Sequence, residues 1–442
     1  MNGVRTTIYA AGIALGLLAT PPLALAQQDY KPTKENLQAR EAFRDKGFGI
    51  FLHWGLYSTF AQGEWYMTNA NIDHAEYAKA AAGFYPSRFD AAAWVSAIKA
   101  SGAGYLTITS RHHDSFSMWD TKQSDYNIVK ATPFRRDILA ELRDECHKQG
   151  LGFHIYYSIL DWHREDYYPI GRTGRGTGRK SHGSWDTYDA FMNAQLAELV
   201  RDYGAEAIWL DGEWDQDENP GFDWRYDKMY ANIHKINPAC LIGNNHHSTP
   251  HRGEDFQMFE RDVPGANTAG LSGQDISKLP LETCQTMNGM WGYKIIDQNY
   301  KSDTTLIRLL VQTAGRNANL LLNIGPEPSG ALPALALDRL AKIGSWMKVY
   351  GKTVKDGVRE GLLPPQEWGV TTQRGKTLYL HILDWKSRML SLPLTDRVQR
   401  VVSFDTQRPI PYTQTKAGLT LTFDKAPHEL NAIDYIVEVT LK

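Results

Sequence analysis

Along this chain, short apolar runs alternate with longer stretches in which apolar residues return every third or fourth position. The short runs are FGIFLHWG (48–55), GYLTITSRHH (104–113), GFHIYYS (152–158), AEAIWLDG (205–212), LIGNNHH (241–247), DFQMFE (255–260), LETCQTM (281–287) and ANLLLNIGP (318–326). Rich in apolar and β-branched residues and bounded by turn formers, they predict eight strands. Between most of them lie helical patterns. DAAAWVSAIKASG and RDILAELRDECHKQG end on glycine, and SWDTYDAFMNAQLAELVRDYG opens on a serine at the cap position. TTLIRLLVQTAG and LDRLAKIGSWMKVYG complete the series. The gap between the fifth and sixth runs is too short for a full helix, which makes that unit degenerate.

Alternating strand and helix units imply a parallel sheet, and eight of them imply a closed (β/α)8-like barrel over residues 27–350. No glycine-rich phosphate fingerprint follows the first strand, which weighs against a dinucleotide-binding sheet. From residue 355 to 442 the pattern changes. WGVTTQRG, TLYLHILDW, MLSLPL, VQRVVSF, TLTFD and DYIVEVTLK alternate apolar and polar residues with no helical stretch among them. That predicts a small C-terminal antiparallel β-sandwich.

Three features of composition narrow the picture. Arg5, the apolar stretch IYAAGIALGLLA and the small-residue pattern Ala24-Leu25-Ala26 form a secretory signal peptide over 1–26, with cleavage before Gln27. The apolar stretch is shorter than the roughly 20 residues a membrane-spanning helix needs. The expected mature chain is therefore secreted or periplasmic, with no membrane attachment after cleavage. A net charge of −2 supplies no basic field for nucleic acid. Three cysteines make no disulfide framework; Cys146, Cys240 and Cys284 fall on or beside apolar segments and are expected as buried thiols. Thirteen tryptophans suit a sugar-binding cleft. The basic stretch GRTGRGTGRK (171–180) is expected to be a mobile loop rather than a binding arm.

In barrels of this kind, chemistry sits where strands end and loops begin. Here the ends are polar: His53 and Trp54; His112, His113 and Asp114; Tyr156 and Tyr157; Asp211; His246 and His247; Glu260; and Glu282. Taken singly, Asp211 could be a turn-forming Asp-Gly pair, and Glu260 a surface partner of Arg261. Their convergence on one face favours an active site. Clustered histidines could hold a metal and activate water. However, His53 stands alone on its strand, and the consecutive His112 and His113 would point in opposite directions in extended chain. No metal and no cofactor are expected. Two carboxylates facing each other across a pyranose, ringed by aromatics and hydrogen-bonding groups, suit glycoside cleavage instead.

FGIFLHWGLYS with GEWY, SRHHDSFSMWD with SDYNIV and TPFRRDIL, IYYSILDW, IWLDG, TMNGMWGY and ANLLLNIGP closely resemble, in the same order, glycoside hydrolase family 29, the retaining α-L-fucosidases. The resemblance spans residues 45 to 350. It implies that Asp211 is the nucleophile and that His53, His112 and His113 hydrogen-bond the fucose hydroxyls. It places Glu64, Trp65 and Trp209 about the sugar, Tyr157 (with Tyr156 as the alternative) beside the nucleophile, and Trp291 against the C5 methyl group. For the acid/base it offers Glu260, which ends a strand, over Glu282, which begins one. Where some members carry an arginine near the fifth strand, this chain has GNNHHSTPHRG, so His246 or His247 is expected in its place. The implied substrate is a fucosylated oligosaccharide or glycoconjugate. The same inventory suits an α-L-galactosidase or a catalytically silent fucose-binding barrel.

Overall fold

The computed structural model describes residues 30–180 and 182–442; the expected signal peptide lies outside them. Contacts divide the chain after Lys31, and the following description concerns Pro32–Lys442. Eight strands appear where the apolar runs predict them: β1 Phe48–Leu52, β2 Tyr105–Arg111, β3 Gly152–Ser158, β4 Ala207–Asp211, β5 Leu241–Asn245, β6 Gln257–Glu260, β7 Leu281–Thr286 and β8 Ala318–Ile324. They pair in parallel in the order β5-β4-β3-β2-β1-β8-β7-β6. The sheet thus curls into a nearly closed barrel whose seam lies between β5 and β6.

Asp255 spans that seam. Its backbone N–H donates to Ile242 O at 2.7 Å, while its Oδ2 accepts from Ile242 N at 2.8 Å. Arg40 and His234 hold the same carboxylate, at 2.6 and 2.8 Å. A side chain here replaces part of a strand ladder, because the link between β5 and β6 is too short to form a helix and bring in a full strand.

The helices follow their predicted ends closely. Asp90 caps Ala91–Ala100, Asp137 caps Ile138–Gln149 and Ser302 caps Asp303–Ala314, each side chain accepting from a first-turn N–H. Gly150 takes φ 70 where Ile138–Gln149 stops, a conformation glycine adopts without steric cost. Ser184 precedes Trp185–Arg201 at the predicted position, yet its side chain makes no capping bond. Among the described residues four α-helices lie outside the predicted patterns: Lys34–Lys46 before β1, the short Tyr66–Asn69 and His74–Ala78 between β1 and β2, and Tyr226–Ile236 between β4 and β5.

Residues alternate between two buried environments. Phe51, Tyr105, Tyr156, Trp209, Phe256 and Leu321 fill the barrel interior, whereas Ile50, Leu52, Leu106, Ile108, Tyr157 and Leu210 pack outward among the helices. Both faces of each strand are therefore apolar, as expected of a parallel sheet covered by helices. All three cysteines are buried and free.

Beyond the last barrel helix, Ala334–Tyr350, a five-stranded sheet and a three-stranded sheet follow. The strands Gly369–Arg374, Thr377–Ile382, Val398–Ser403 and Tyr435–Leu441 belong to the first, with Arg359–Glu360 at its edge. Met389–Leu392, Tyr412–Thr415 and Gly418–Thr422 form the second, and all pairings are antiparallel. Leu378, Leu380, Leu390, Leu419, Leu421 and Val437 share a common core.

Candidate active site

A cavity of about 210 Å³ opens at the C-terminal ends of the barrel strands. Its wall includes His53, Glu64, Trp65, His112, His113, Tyr156, Trp209, Asp211, Glu260 and Trp291, all but one of them expected from sequence. The exception is Tyr156, which takes the place assigned first to Tyr157.

Asp211 ends β4 and is 8% exposed. Its Oδ2 accepts from Tyr156 Oη at 2.7 Å and lies 3.7 Å from His113 Nε2. Its Oδ1 accepts from Trp214 Nε1 and Asn245 Nδ2, both at 3.3 Å. Burial and then the nearby negative charge of Glu260 raise its pKa to about 6, against the pull of the donating hydroxyl and indole.

Glu260 ends β6 on the other side of Asn245, whose Nδ2 also donates to Glu260 Oε2 at 2.9 Å. One amide thus bridges the two carboxylates. His247 Nε2 meets the same Glu260 oxygen at 3.0 Å. Burial alone would raise the Glu260 pKa, but the hydrogen bond and positive charge of His247 hold it below the ordinary value. Burial likewise opposes an imidazolium at His247, and Glu260 outweighs it, raising that pKa.

The three strand-end histidines do a different job. Burial drives His53 down to about 3, and His112 and His113 well below their ordinary value, so all three are neutral. Ser158 Oγ donates its one proton to Leu160 O at 2.7 Å, so at 2.7 Å it can only accept from His113 Nδ1–H. His113 Nε2 is left as an acceptor. Asn323 donates through Nδ2 to Trp291 O at 2.7 Å, which turns its Oδ1 toward His53 Nδ1–H at 2.7 Å. His53 Nε2 is again an acceptor. Buried His112 Nδ1 has no protein hydrogen bond. His53 and His113 thus each present an acceptor nitrogen to which a hydroxyl can donate a hydrogen bond. Glu64, buried and accepting from Gly292 N at 2.7 Å, has a pKa raised by burial.

Several sequence expectations are corrected here. Tyr157 faces the helices, its hydroxyl donating to Gln195 Oε1 at 2.9 Å, because adjacent strand residues point to opposite faces. His246 turns away to Glu254 at 3.0 Å with its side chain 3% exposed, and His247 lines the cavity instead. His112 and His113 both line the cavity. Strand alternation does not separate them because β2 ends at Arg111, one residue earlier. Glu282, the alternative acid, is 1% exposed beneath the cavity, accepting from Tyr105 Oη at 2.6 Å and Trp209 Nε1 at 2.9 Å. Finally, the 171–180 segment is seated against its neighbours and brings Arg172 to the cavity.

Sequence reasoning missed Phe51, Arg172, Trp214, Asn245 and Leu271 among the lining residues. Asn245 could have been found, since it ends β5 in register with Asp211 on β4. Nothing local marks Arg172 or Leu271, which reach the cavity from loops.

The α-L-fucosidase family model matches residues 17–352. The chain belongs to the α-L-fucosidase family. A putative α-L-fucosidase of Caenorhabditis elegans is 30% identical, over 75% of this chain and 70% of its own length. The α-L-fucosidase of Dictyostelium discoideum is 26% identical over 94% of this chain and 96% of its own. Among solved structures, α-L-fucosidase isoenzyme 1 of Paenibacillus thiaminolyticus superposes with a TM-score of 0.81 at 30% identity, covering 92% of this chain and all of that one. In this α-L-fucosidase family member, the described residues offer a further cluster, Glu213, His246 and His251, with ligating atoms within 4.8 Å of one another. Ion pairs already engage all three: His251 with Glu213 at 2.9 Å and His246 with Glu254 at 3.0 Å.

Proposed function

We propose that this protein is an exo-acting α-L-fucosidase that removes terminal α-L-fucose by double displacement, with Asp211 as nucleophile and Glu260 as acid/base. The observation that carries this assignment is the Asn245 bridge, which brings two buried carboxylates to one cavity of single-sugar size. In retaining glycosidases the two carboxyl groups stand about 5–5.5 Å apart and one of them attacks the ring directly, the role proposed for Asp211.

In the first step Asp211 attacks the anomeric carbon while the glycosidic oxygen departs with a proton from Glu260. In the second, Glu260 accepts a proton from the water that releases fucose. The Glu260–His247 pair carries one proton, held on His247 while the cavity is empty. Glu260 therefore delivers a proton that its neighbour stores. The acceptors on His53 and His113 bind sugar hydroxyls, and the aromatic faces of Phe51, Trp209 and Trp291 suit a methyl group where other hexoses carry a hydroxyl. A buried hydroxyl without a partner costs about 1–3 kcal/mol, which disfavours galactose-type sugars there. The N-terminal sequence supports a secreted or periplasmic location.

The test is NMR of the first-formed product from an aryl α-L-fucoside. Release of α-L-fucose before mutarotation is the expected result. β-L-fucose as first product would exclude the covalent route, and no release at all would exclude the activity.

A further inference from the structure

The 171–180 segment, GRTGRGTGRK, is a built wall. A Cβ at Gly171 would collide with the Asp215 carboxylate, and one at Gly176 with the Asn71 side chain. At Gly174 (φ +66) and Gly178 (φ +76) a side chain is disfavoured by both the backbone and the contacts with Trp162 and Asp73. Asp215 ties the segment down by accepting from Thr173 N at 2.8 Å and from Tyr167 Oη at 2.8 Å, while its carbonyl accepts from Arg172 N at 2.7 Å. Asp215 lies in the short 3-10 turn Glu213–Gln216 that follows β4, so the wall is anchored to the strand end that carries Asp211.

Arg172 projects from this wall into the cavity, its guanidinium 5.0 Å from the Trp214 ring centre. Its ion-pair partner is Asp217 at 3.7 Å, and its side chain stays 45% exposed. The two oxygens of Asp211 show which side of the sugar this is. Oδ2 faces Tyr156 and His113, the hydroxyl-binding side; Oδ1 faces Trp214 and Asn245, and Asn245 leads on to Glu260. Trp214 stands between the two sides, since its ring also packs against Trp65 and His113 at 5.6 Å; Arg172 covers it on the side where its charge acts on His247, the partner of Glu260, and so stands toward the acid/base. The acid/base must face the departing oxygen, and whatever is attached to that oxygen extends past Arg172.

We infer that Arg172, held on its indole platform by the glycine-rich wall, is a specificity-determining residue that hydrogen-bonds the hydroxyls of the sugar to which fucose is attached. A planar fork of donors stacked on an aromatic face loses little freedom on binding and suits a neutral, hydroxyl-rich partner as well as a charged one. This rests on the fucosidase reading above, and it concerns the leaving sugar, which that reading leaves undefined.

The experiment compares kcat/KM on α-L-fucosyl fluoride, which has no leaving sugar, with a panel of α-fucosyl disaccharides differing in linkage. Arg172→Met is expected to lower the value on the best disaccharide by about tenfold or more, and on the fluoride by less than about threefold. Gly176→Ala, which unseats the wall, should shift the ratio in the same direction, with thermal melting confirming a folded enzyme. If Arg172→Met misfolds, Arg172→Gln is read in its place. Equal losses on both substrates, or no loss on the disaccharide, would overturn the inference. A wild-type enzyme that cleaves neither substrate would instead overturn the fucosidase reading.

Discussion

His247 Nε2 lies 3.0 Å from Glu260 Oε2, pairing an imidazole with the carboxylate proposed as the acid/base. Glu260 is drawn below its ordinary pKa and His247 above its own, so the proton of the pair rests on the imidazole until it is needed. Asp211, by contrast, is raised to about 6 by burial and by the Glu260 charge. These opposite directions set the expected pH dependence. Arg172 and Arg261 also bear on the pair, each favouring loss of its proton.

On the proposed roles, activity requires ionised Asp211 and a protonated Glu260–His247 pair. For the free enzyme, kcat/KM should fall as pH drops through about 6, and fall again above the raised His247 value. His247→Gln removes the stored proton and should move the basic limb to lower pH while leaving the bell shape. A pH–rate profile of both enzymes is the measurement; an unmoved basic limb would disprove the pairing role.

The two acid candidates separate by substrate. Glu260→Ala should cut the rate on natural oligosaccharides by about 10²–10⁴-fold. It should spare fucosides with activated leaving groups far more, and azide should restore turnover as a fucosyl azide. Glu282→Gln should show neither behaviour. Its carboxyl, raised to about 7 by burial, is engaged by Tyr105 and Trp209 below the cavity, so melting temperature rather than azide response should change.

Adjacent tyrosines should behave oppositely. Tyr156→Phe removes a 2.7 Å hydrogen bond to Asp211, the proposed nucleophile, and should lower kcat by about tenfold. Tyr157→Phe should leave kcat within about twofold but destabilise the fold by about 1–2 kcal/mol, since Gln195 Oε1 loses its buried donor. Steady-state kinetics and denaturant unfolding of the two variants decide this.

Behind the histidines, fully buried Arg111 pairs with fully buried Asp161 and donates to Ser158 O at 2.7 Å. Arg111→Met strands the Asp161 carboxylate and should destabilise the protein by about 3–5 kcal/mol. Burial pushes the Asp161 pKa up, but Arg111 and several donors bring it down to about 2. A carboxylate depressed in the folded state stabilises above its unfolded pKa of about 3.9. That contribution is lost as pH falls through about 2, so acid unfolding should begin at higher pH in Arg111→Met than in the wild type.

The sequence by itself determined the eight barrel strands, five of the barrel helices, the antiparallel C-terminal strands, and the acids and histidines that strand ends carry to one face. These signals survive because periodicity, caps and turn residues act over a few neighbouring positions. The tertiary structure alone decided between neighbours. Tyr156 faces inward rather than Tyr157 because both faces of β3 are buried and the apolar pattern carries no parity, while His247 lines the cavity rather than His246 because both lie beyond the end of β5, where the chain turns through φ 59 at His247. Only the end of β2 at Arg111 lets His112 and His113 share the cavity. Glu260 is brought to Asp211 by long-range closure of the barrel, and Arg172 to Trp214 by the seating of one loop, and contacts of that range leave no trace in local spacing.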